Sequence, residues 1–75
     1  MMVAKMPLSV VNDGIECMVH SLRRCRDSSR LMEMGFVDKA RIRVLSRSDS
    51  GIIANVNGAK LALSMELARQ IIVTC

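Results

Sequence analysis

Apolar and polar residues alternate along two stretches of the chain, which predicts strands with one face turned toward a core. Over residues 15–22, Ile15, Cys17 and Val19 alternate with polar or flexible side chains. Residues 40–47 repeat the pattern around Ile42 and Val44. The basic residues of this second stretch, together with the preceding Lys39, are expected on its outward face: Lys39, Arg41, Arg43 and Arg47. Shorter β-branched runs predict an edge strand at residues 8–11 and a last strand at residues 71–74.

The dipeptide Asn57-Gly58 separates two further apolar runs and is the strongest hairpin signal in the sequence. A two-residue turn fixes the register of the strands on either side. The pairs expected on one apolar face are Val56 with Ala59, Ala54 with Leu61, and Ile52 with Leu63. A slip of one residue would turn this face to solvent, so the register is well specified.

Residues 28–35 predict a short helix that begins at a serine N-cap and ends at Gly35, where a C-cap favours positive φ. So short a helix is not stable alone, and we expect Leu31 and Met34 to dock on the core. Phe36 follows and is expected to cover the same part of the core. A second helix over residues 65–70 is predicted after the N-cap Ser64.

These elements sum to a mostly β fold, a small β-barrel of five to six short strands with two short helices. The chain has 75 residues, enough for one domain and one core. We therefore expect residues 1–75 to form a single domain, ordered from about residue 6 to residue 74. A domain of this size has no room for a deep catalytic cleft between two halves.

Aromatic residues are almost absent, since the sequence contains one Phe, Phe36, and no Tyr or Trp. Proteins that bind single-stranded nucleic acid or proline-rich peptides rely on exposed aromatic rings. The net charge of +4 permits an acidic protein, a nucleic acid or an anionic membrane surface as partner. The shortage of rings argues against nucleic acid among these three.

The residues at the start of the chain lack the apolar core of a signal peptide, and no stretch approaches the length of a membrane span. We therefore expect a cytoplasmic protein without direct membrane insertion. Cys17, Cys25 and Cys75 cannot all pair within one chain, and we interpret them as free thiols in a reducing cytosol.

Metal binding and catalysis have little support in the sequence. Cys17 and His20 are three residues apart on a predicted strand, so they point to opposite faces unless a bulge intervenes. Cys17 is better interpreted as a small core residue. His20 has no sequence-adjacent arrangement of a nucleophile and an orienting group, and no glycine-rich phosphate loop occurs. We expect no metal site, no cofactor and no enzymatic activity.

Three segments together resemble one known family: residues 8–14, residues 30–36 with the pattern Arg-Leu-x-x-x-Gly-Phe, and residues 56–63 with Gly-x-x-Leu-Ala-Leu, followed by Ala68 and Ile71 to Val73. Their order and spacing are similar to those of ferrous iron transport protein A (FeoA), from about residue 6 to residue 73. The resemblance implies an SH3-like barrel in the cytoplasm that acts with FeoB, the membrane GTPase-transporter of ferrous iron.

The chain departs from that family in two places. Members often carry Pro-Gly after the Gly-Phe turn, where this sequence has Asp38-Lys39. A Pro- and Gly-rich loop common in the middle of the family is reduced here to residues 48–51. Any partner contact made by that loop in the family does not transfer to this chain.

A surface around the first helix is the candidate for binding FeoB, because basic and apolar residues are concentrated there. Arginine forks bind carboxylates, and methionines suit adaptable contacts although they also fill cores. The candidate residues are Arg24, Arg26, Arg30, Leu31, Met32, Met34 and Phe36. The oligomeric state is open, and the alternatives are a nucleic-acid-binding or a metal-sensing β-barrel module.

Overall fold

In the computed structural model, which describes residues 4–23 and 28–75, the described strands form one antiparallel sheet. The strand order across the sheet is β1-β6-β2-β3-β4-β5. The elements are β1 (Lys5–Pro7), a 3-10 turn (Leu8–Val10), β2 (Glu16–Leu22), α1 (Ser28–Glu33), β3 (Arg41–Arg47), β4 (Gly51–Val56), β5 (Ala59–Ser64), α2 (Met65–Ala68) and β6 (Ile71–Thr74). The mostly β class, with six strands and two short helices among these residues, is confirmed.

The prediction of an edge strand at residues 8–11 is wrong, because the first strand lies at Lys5–Pro7 and is followed by a 3-10 turn. The amide of Val11 donates to the carbonyl of Leu8 at 3.1 Å and closes that turn. Leu8 and Val11 are both buried. A strand would point residues three apart to opposite faces, whereas the turn brings both onto the core.

One apolar core lies inside the curled sheet. Its members come from every described strand except β1, and from both helices and the turns beside them. The largest fully buried side chains are Phe36, Leu8, Leu31, Ile42, Ile52, Ile71, Val19, Val44 and Val73. The helix α2 contacts β4, β5 and the 3-10 turn, and the 3-10 turn contacts β6. The helix α2 and the 3-10 turn together cover the core between β5, at one edge of the sheet, and β6.

The β4–β5 hairpin has the predicted register, with Val56 opposite Ala59 and Ile52 opposite Leu63. Asn57 and Gly58 both have positive φ, 51° and 90°. This is the backbone of a type I′ turn, whose twist matches that of the flanking strands. The side-chain oxygen of Asn55 accepts a hydrogen bond from the Gly58 amide at 2.8 Å.

The helix α1 ends in a Schellman motif centred on Gly35, which has a φ of 106°. The amide of Phe36 donates to the carbonyl of Leu31, and the amide of Gly35 donates to that of Met32, each at 3.0 Å. Leu31 and Phe36 are both fully buried and supply the hydrophobic contact typical of this motif. The predicted C-cap and the docking of Leu31 are confirmed.

The second helix also begins as predicted, because the hydroxyl of Ser64 accepts a hydrogen bond from the Leu67 amide at 3.2 Å. It ends at Ala68, two residues before the predicted end. The last strand, Ile71–Thr74, matches its prediction.

Two β-bulges interrupt the predicted alternation. The β2 register shifts between Val19 and Ser21, and the β3 register shifts between Val44 and Ser46. After the second bulge Arg47 lies opposite Ile52, a core residue. The prediction that Arg47 shares the outward face of Arg41 and Arg43 is therefore wrong, because the extra residue reverses the parity of the strand.

Cys17 and Val19 face the core as the alternation predicted, whereas Ile15 precedes β2 and is exposed. Cys17 is joined to Cys75 by a disulfide bond. The interpretation of these two cysteines as free thiols is thus wrong in this structure, because the pairing of β2 with β6 brings them opposite each other. Cys25 lies outside the described residues. None of the described helices has the length and apolar content needed to cross a membrane.

Replacing Lys39 by glycine is expected to raise the free energy of unfolding by about 0.5–1 kcal/mol. Lys39 has a φ of 69°, a conformation that strains a residue with a Cβ. Its amide donates to the Val19 carbonyl at 2.8 Å, so the structure holds it there. Urea denaturation measures the change. The Lys39→Ala variant keeps the strain, and an equal gain in both variants would contradict this explanation.

Candidate partner-binding groove

An open groove of about 450 Å³ runs between the end of β2, the helix α1 and the turn that follows α1. We call it the β2–α1 groove. Its lining residues are Val19, His20, Ser21, Leu22, Arg23, Ser28, Met32, Phe36, Val37 and Asp38. Of the candidate partner-binding residues, Met32 and Phe36 line this groove.

The β2 wall of the groove is shaped by the first bulge, which falls at His20. Because of this extra residue, Ser21 lies opposite Ile72 and Leu22 lies opposite the buried Ile71. The His20 ring nitrogen Nδ1 and the Ser21 hydroxyl are 3.1 Å apart. Both side chains are exposed, and they place polar groups along this wall.

Hydrogen bonds attach β2, one wall of the groove, to the segments on both of its sides. The Arg23 amide donates to the Gln70 carbonyl at 2.7 Å and ties the end of β2 to the turn before β6. Across the other side, the Val19 amide donates to the Ala40 carbonyl at 2.8 Å. Together with the bond from Lys39 to Val19, this contact fastens the turn after α1 to β2.

The groove combines a buried apolar floor with exposed apolar edges. Phe36 and Val19 are buried beneath it. Met32 on α1 is 51% exposed, and Val37 in the following turn is 46% exposed. Large apolar side chains this exposed, lining the same groove as buried apolar residues, are typical of a contact surface. Such a surface suits an apolar side chain of a partner.

Polar and charged side chains also line the groove. His20 lies on β2, Arg23 follows β2 directly, and Asp38 lies in the turn after α1. All three are exposed. The guanidinium of Arg23 and the carboxylate of Asp38 allow the groove to select the orientation of a bound segment, since a partner must match both charges.

The structure separates the predicted partner-binding residues into groups. Leu31 and Phe36 are fully buried, so their side chains support the surface from below and are not available for direct contact. Met34 is half-buried against the core. Met32 and Arg30 are exposed, but only Met32 lines the groove. The two remaining candidates, Arg24 and Arg26, lie outside the described residues.

Three residues of this surface were not predicted from the sequence: Val37, His20 and Asp38. Val37 follows the buried Phe36 directly. Its position just after the Gly-Phe turn was the one feature of the sequence that could have predicted an outward apolar side chain. His20 and Asp38 lie on two segments that are joined by the hydrogen bond from the Lys39 amide to the Val19 carbonyl. A contact between segments so far apart leaves no local pattern in the sequence.

The arginines of β3 form a different surface on the outward face of the sheet. Glu16 lies between Arg41 and Arg43, with carboxylate to guanidinium distances of 3.8 and 4.0 Å. All three side chains are more than half exposed, so these ion pairs add little stability. They do offset part of the positive charge that this face would otherwise offer to an anion.

Metal-ligating side chains do not gather in residues 4–23 and 28–75, where no three His, Cys, Asp or Glu residues are placed to hold one ion. A bulge does occur at His20, and a bulge is what Cys17 and His20 require in order to share a face. Even so, Cys17 is buried and bonded to Cys75, whereas His20 is exposed.

Comparison with known proteins gives a consistent result. The profile of the FeoA domain matches residues 6–75. A crystal structure of an iron uptake regulatory protein (FeoA) is 28% identical, with a TM-score of 0.86, over 96% of this chain and 99% of that one. The FeoA protein of Chlorobium tepidum is 32% identical, with a TM-score of 0.80, over 91% of this chain and 68% of that one.

A FeoA of Stenotrophomonas maltophilia, solved with zinc, is 25% identical over 91% of this chain and 88% of that one, with a TM-score of 0.79. It is described as a prokaryotic SH3 domain protein and a candidate ferrous iron transport activating factor. A manganese-dependent transcriptional repressor shares the fold at a TM-score of 0.86 and 21% identity, and this chain spans 41% of its length. The comparison with curated proteins finds no match.

Proposed function

Because this chain belongs to the FeoA domain family, we propose that it is a small cytoplasmic accessory protein of ferrous iron uptake that binds the membrane transporter FeoB and regulates it. The observation that carries the proposal is the β2–α1 groove, where Met32 and Val37 expose apolar surface beside a buried apolar floor. The protein acts by contact and not by catalysis.

The binding energy comes from covering this apolar surface. Burial of apolar area contributes roughly 25 cal/mol per Å², and a few well-packed side chains dominate most interfaces. Met32 is flexible and polarizable, so it adapts to the shape of a partner side chain. Val37 adds a rigid β-branched side chain to the same groove.

Charge assists the encounter. The chain carries a net charge of +4, which attracts an acidic surface of the transporter and raises the association rate at low salt. Arg23 and Arg30 contribute exposed guanidinium groups beside and near the groove. Arginine binds carboxylates through paired hydrogen bonds, so an acidic segment of FeoB fits this side better than a basic one.

A protein partner is favoured over a nucleic acid by the position of the single aromatic ring. Phe36 is fully buried, and the sequence holds no Tyr or Trp. Single-stranded nucleic acid is bound largely by stacking of bases on exposed rings, worth about 1–3 kcal/mol per base. The surface offers no such ring.

The Met32→Asp variant is expected to weaken binding to full-length FeoB about tenfold, since it places a charge where apolar contact is made. Met32 is 51% exposed, so the fold tolerates the change. Binding is measured by titration of the purified chain against FeoB in lipid nanodiscs.

The matched control is Val10→Asp, because Val10 is also 51% exposed but does not line the groove. This control is expected to bind FeoB as the unmodified chain does. Equal weakening by both variants, or wild-type affinity of Met32→Asp, would remove the groove from the proposal. Failure of the unmodified chain to bind FeoB would overturn the proposed function itself.

A further inference from the structure

We propose that Cys17 and Cys75 form a reversible thiol–disulfide site that reacts with low-molecular-weight thiols, and that Cys75 is the sulfur attacked. The two residues are bonded in the structure, whereas the sequence predicts free thiols. This inference concerns a different part of the molecule from the β2–α1 groove and does not depend on the proposed function.

The sheet register, and not the bond alone, brings the two cysteines together. Met18 of β2 pairs with Thr74 of β6, so the adjacent Cys17 and Cys75 lie opposite each other. Their Cα atoms are 4.7 Å apart, close to the spacing of a non-hydrogen-bonded pair in an antiparallel ladder. The backbone thus keeps the thiols within bonding reach when the bond is open.

The strand β6, which Cys75 follows directly, has other attachments. Beyond its pairing with β2, β6 pairs with β1 from Lys5 to Pro7. The Cys75 amide also donates to the Ala4 carbonyl at 3.3 Å. Reduction of the disulfide leaves these ladders intact, so we expect the reduced protein to keep its fold and the bond to re-form without refolding.

Exposure distinguishes the two cysteine residues. Cys17 is only 4% exposed, whereas Cys75 is exposed. An open depression of about 530 Å³ leads to the pair and is lined by Glu16, Cys17, Met18, Arg41, Thr74 and Cys75. Access decides which sulfur of a disulfide is attacked, and here it favours Cys75. The guanidinium of Arg41 attracts an anionic thiol reagent, although Glu16 offsets part of its charge.

The exchange balances in two steps, with glutathione as the reductant. A glutathione thiolate attacks Sγ of Cys75, the S–S bond breaks, and its electron pair leaves with the Cys17 sulfur, which takes up a proton. A second glutathione thiolate then attacks the glutathione sulfur of the mixed disulfide and releases the Cys75 thiolate, which is protonated. The protein gains two electrons and two protons, and two glutathione molecules become one glutathione disulfide.

The first test uses the full chain with Cys25→Ser, so that Cys17 and Cys75 are the remaining thiols. The protein is equilibrated in glutathione redox buffers, quenched with acid and alkylated, and the blocked thiols are counted by mass spectrometry. Two thiols are expected to appear together in one transition, while the circular dichroism spectrum and the dispersed amide NMR spectrum persist. A pair that never oxidises, that links separate chains, or that unfolds on reduction would overturn the proposal.

The second test compares Cys17→Ser and Cys75→Ser, each in the Cys25→Ser background. Each variant then has one thiol, and its rate of mixed-disulfide formation with glutathione disulfide is followed by mass spectrometry. The thiol of Cys75 is expected to react about tenfold faster than that of Cys17, because thiol exchange depends on access. Equal rates would show that Cys75 is not the preferred point of attack.

Discussion

Phe36→Ala is expected to lower the free energy of unfolding by about 3–5 kcal/mol. The ring is fully buried, and it closes the Schellman motif by packing on Leu31. Its loss leaves a cavity at the centre of a core that has no other aromatic side chain. Small domains are stable by only about 5–15 kcal/mol, so the variant should lie near the limit of folding. Urea denaturation followed by circular dichroism measures the loss.

Two further variants show what the Phe36 result means. Phe36→Leu keeps most of the apolar volume and should lose markedly less stability than Phe36→Ala. Val37→Ala changes the exposed neighbour and should lose at most about 0.5 kcal/mol. If Phe36→Ala were as stable as the unmodified chain but failed to bind FeoB, the ring would be a partner contact and its assignment to the core would be wrong.

Gly51→Ala is expected to lower the free energy of unfolding by about 2–3 kcal/mol, although Gly51 has an ordinary φ. A Cβ built on Gly51 would collide with the backbone carbonyl of Leu63, on the neighbouring strand. Gly51 pairs with Ser64 at the end of the β4–β5 ladder, so the backbone itself must move to admit a methyl group. Thermal and urea unfolding of the purified variant measure the effect.

The control for this prediction is Gly58→Ala in the hairpin turn. Gly58 has a φ of 90° with open space around its Cα, so its substitution adds backbone strain without a collision. We expect a loss of about 1 kcal/mol for Gly58→Ala, clearly less than for Gly51→Ala. A larger loss of stability for Gly58→Ala than for Gly51→Ala would mean that strand β4 moves easily away from Leu63.

Elements set by local chemistry could be predicted from the sequence. The Asn57-Gly58 turn fixes the hairpin register because a two-residue loop permits only one pairing of the strands. Ser64 begins α2 and Gly35 ends α1 because each satisfies backbone groups a few residues away. Both effects act over distances that a short window of sequence contains.

Features that depend on pairing between distant strands could not be predicted. The bulges at His20 and Leu45 are defined by the partner strands, and alternation within β2 or β3 alone gives no sign of them. The disulfide likewise requires β6 to lie beside β2, far apart in the chain. The 3-10 turn was mistaken for a strand because a run of three or four apolar residues fits either element.

The candidate site was predicted in part. Met32 was among the predicted contact residues, and the structure exposes it on the groove. Leu31 and Phe36 were named as contact residues and were also expected to pack on the core, and the structure buries both of them completely. Val37 and His20 join the surface only when the turn after α1 is fastened to β2.

The fold by itself does not determine the function, because metal-dependent repressors share it at similar TM-scores. In those proteins the matched region is less than half of a longer chain. The proposed role for this chain rests instead on the family match across residues 6–75 and on the exposed side chains of the groove.

The pairing of β1 with β6 has a consequence for the order in which the protein folds. Met6 lies opposite Val73, so this ladder joins residues separated by almost the entire chain. The β4–β5 hairpin, in contrast, joins near neighbours through a two-residue turn. Closing a long loop is slow because its entropy is lost before any contact compensates. The hairpin should therefore form early, and the sheet should be completed last at β1, so mutations in β1 should speed unfolding with little effect on the folding rate.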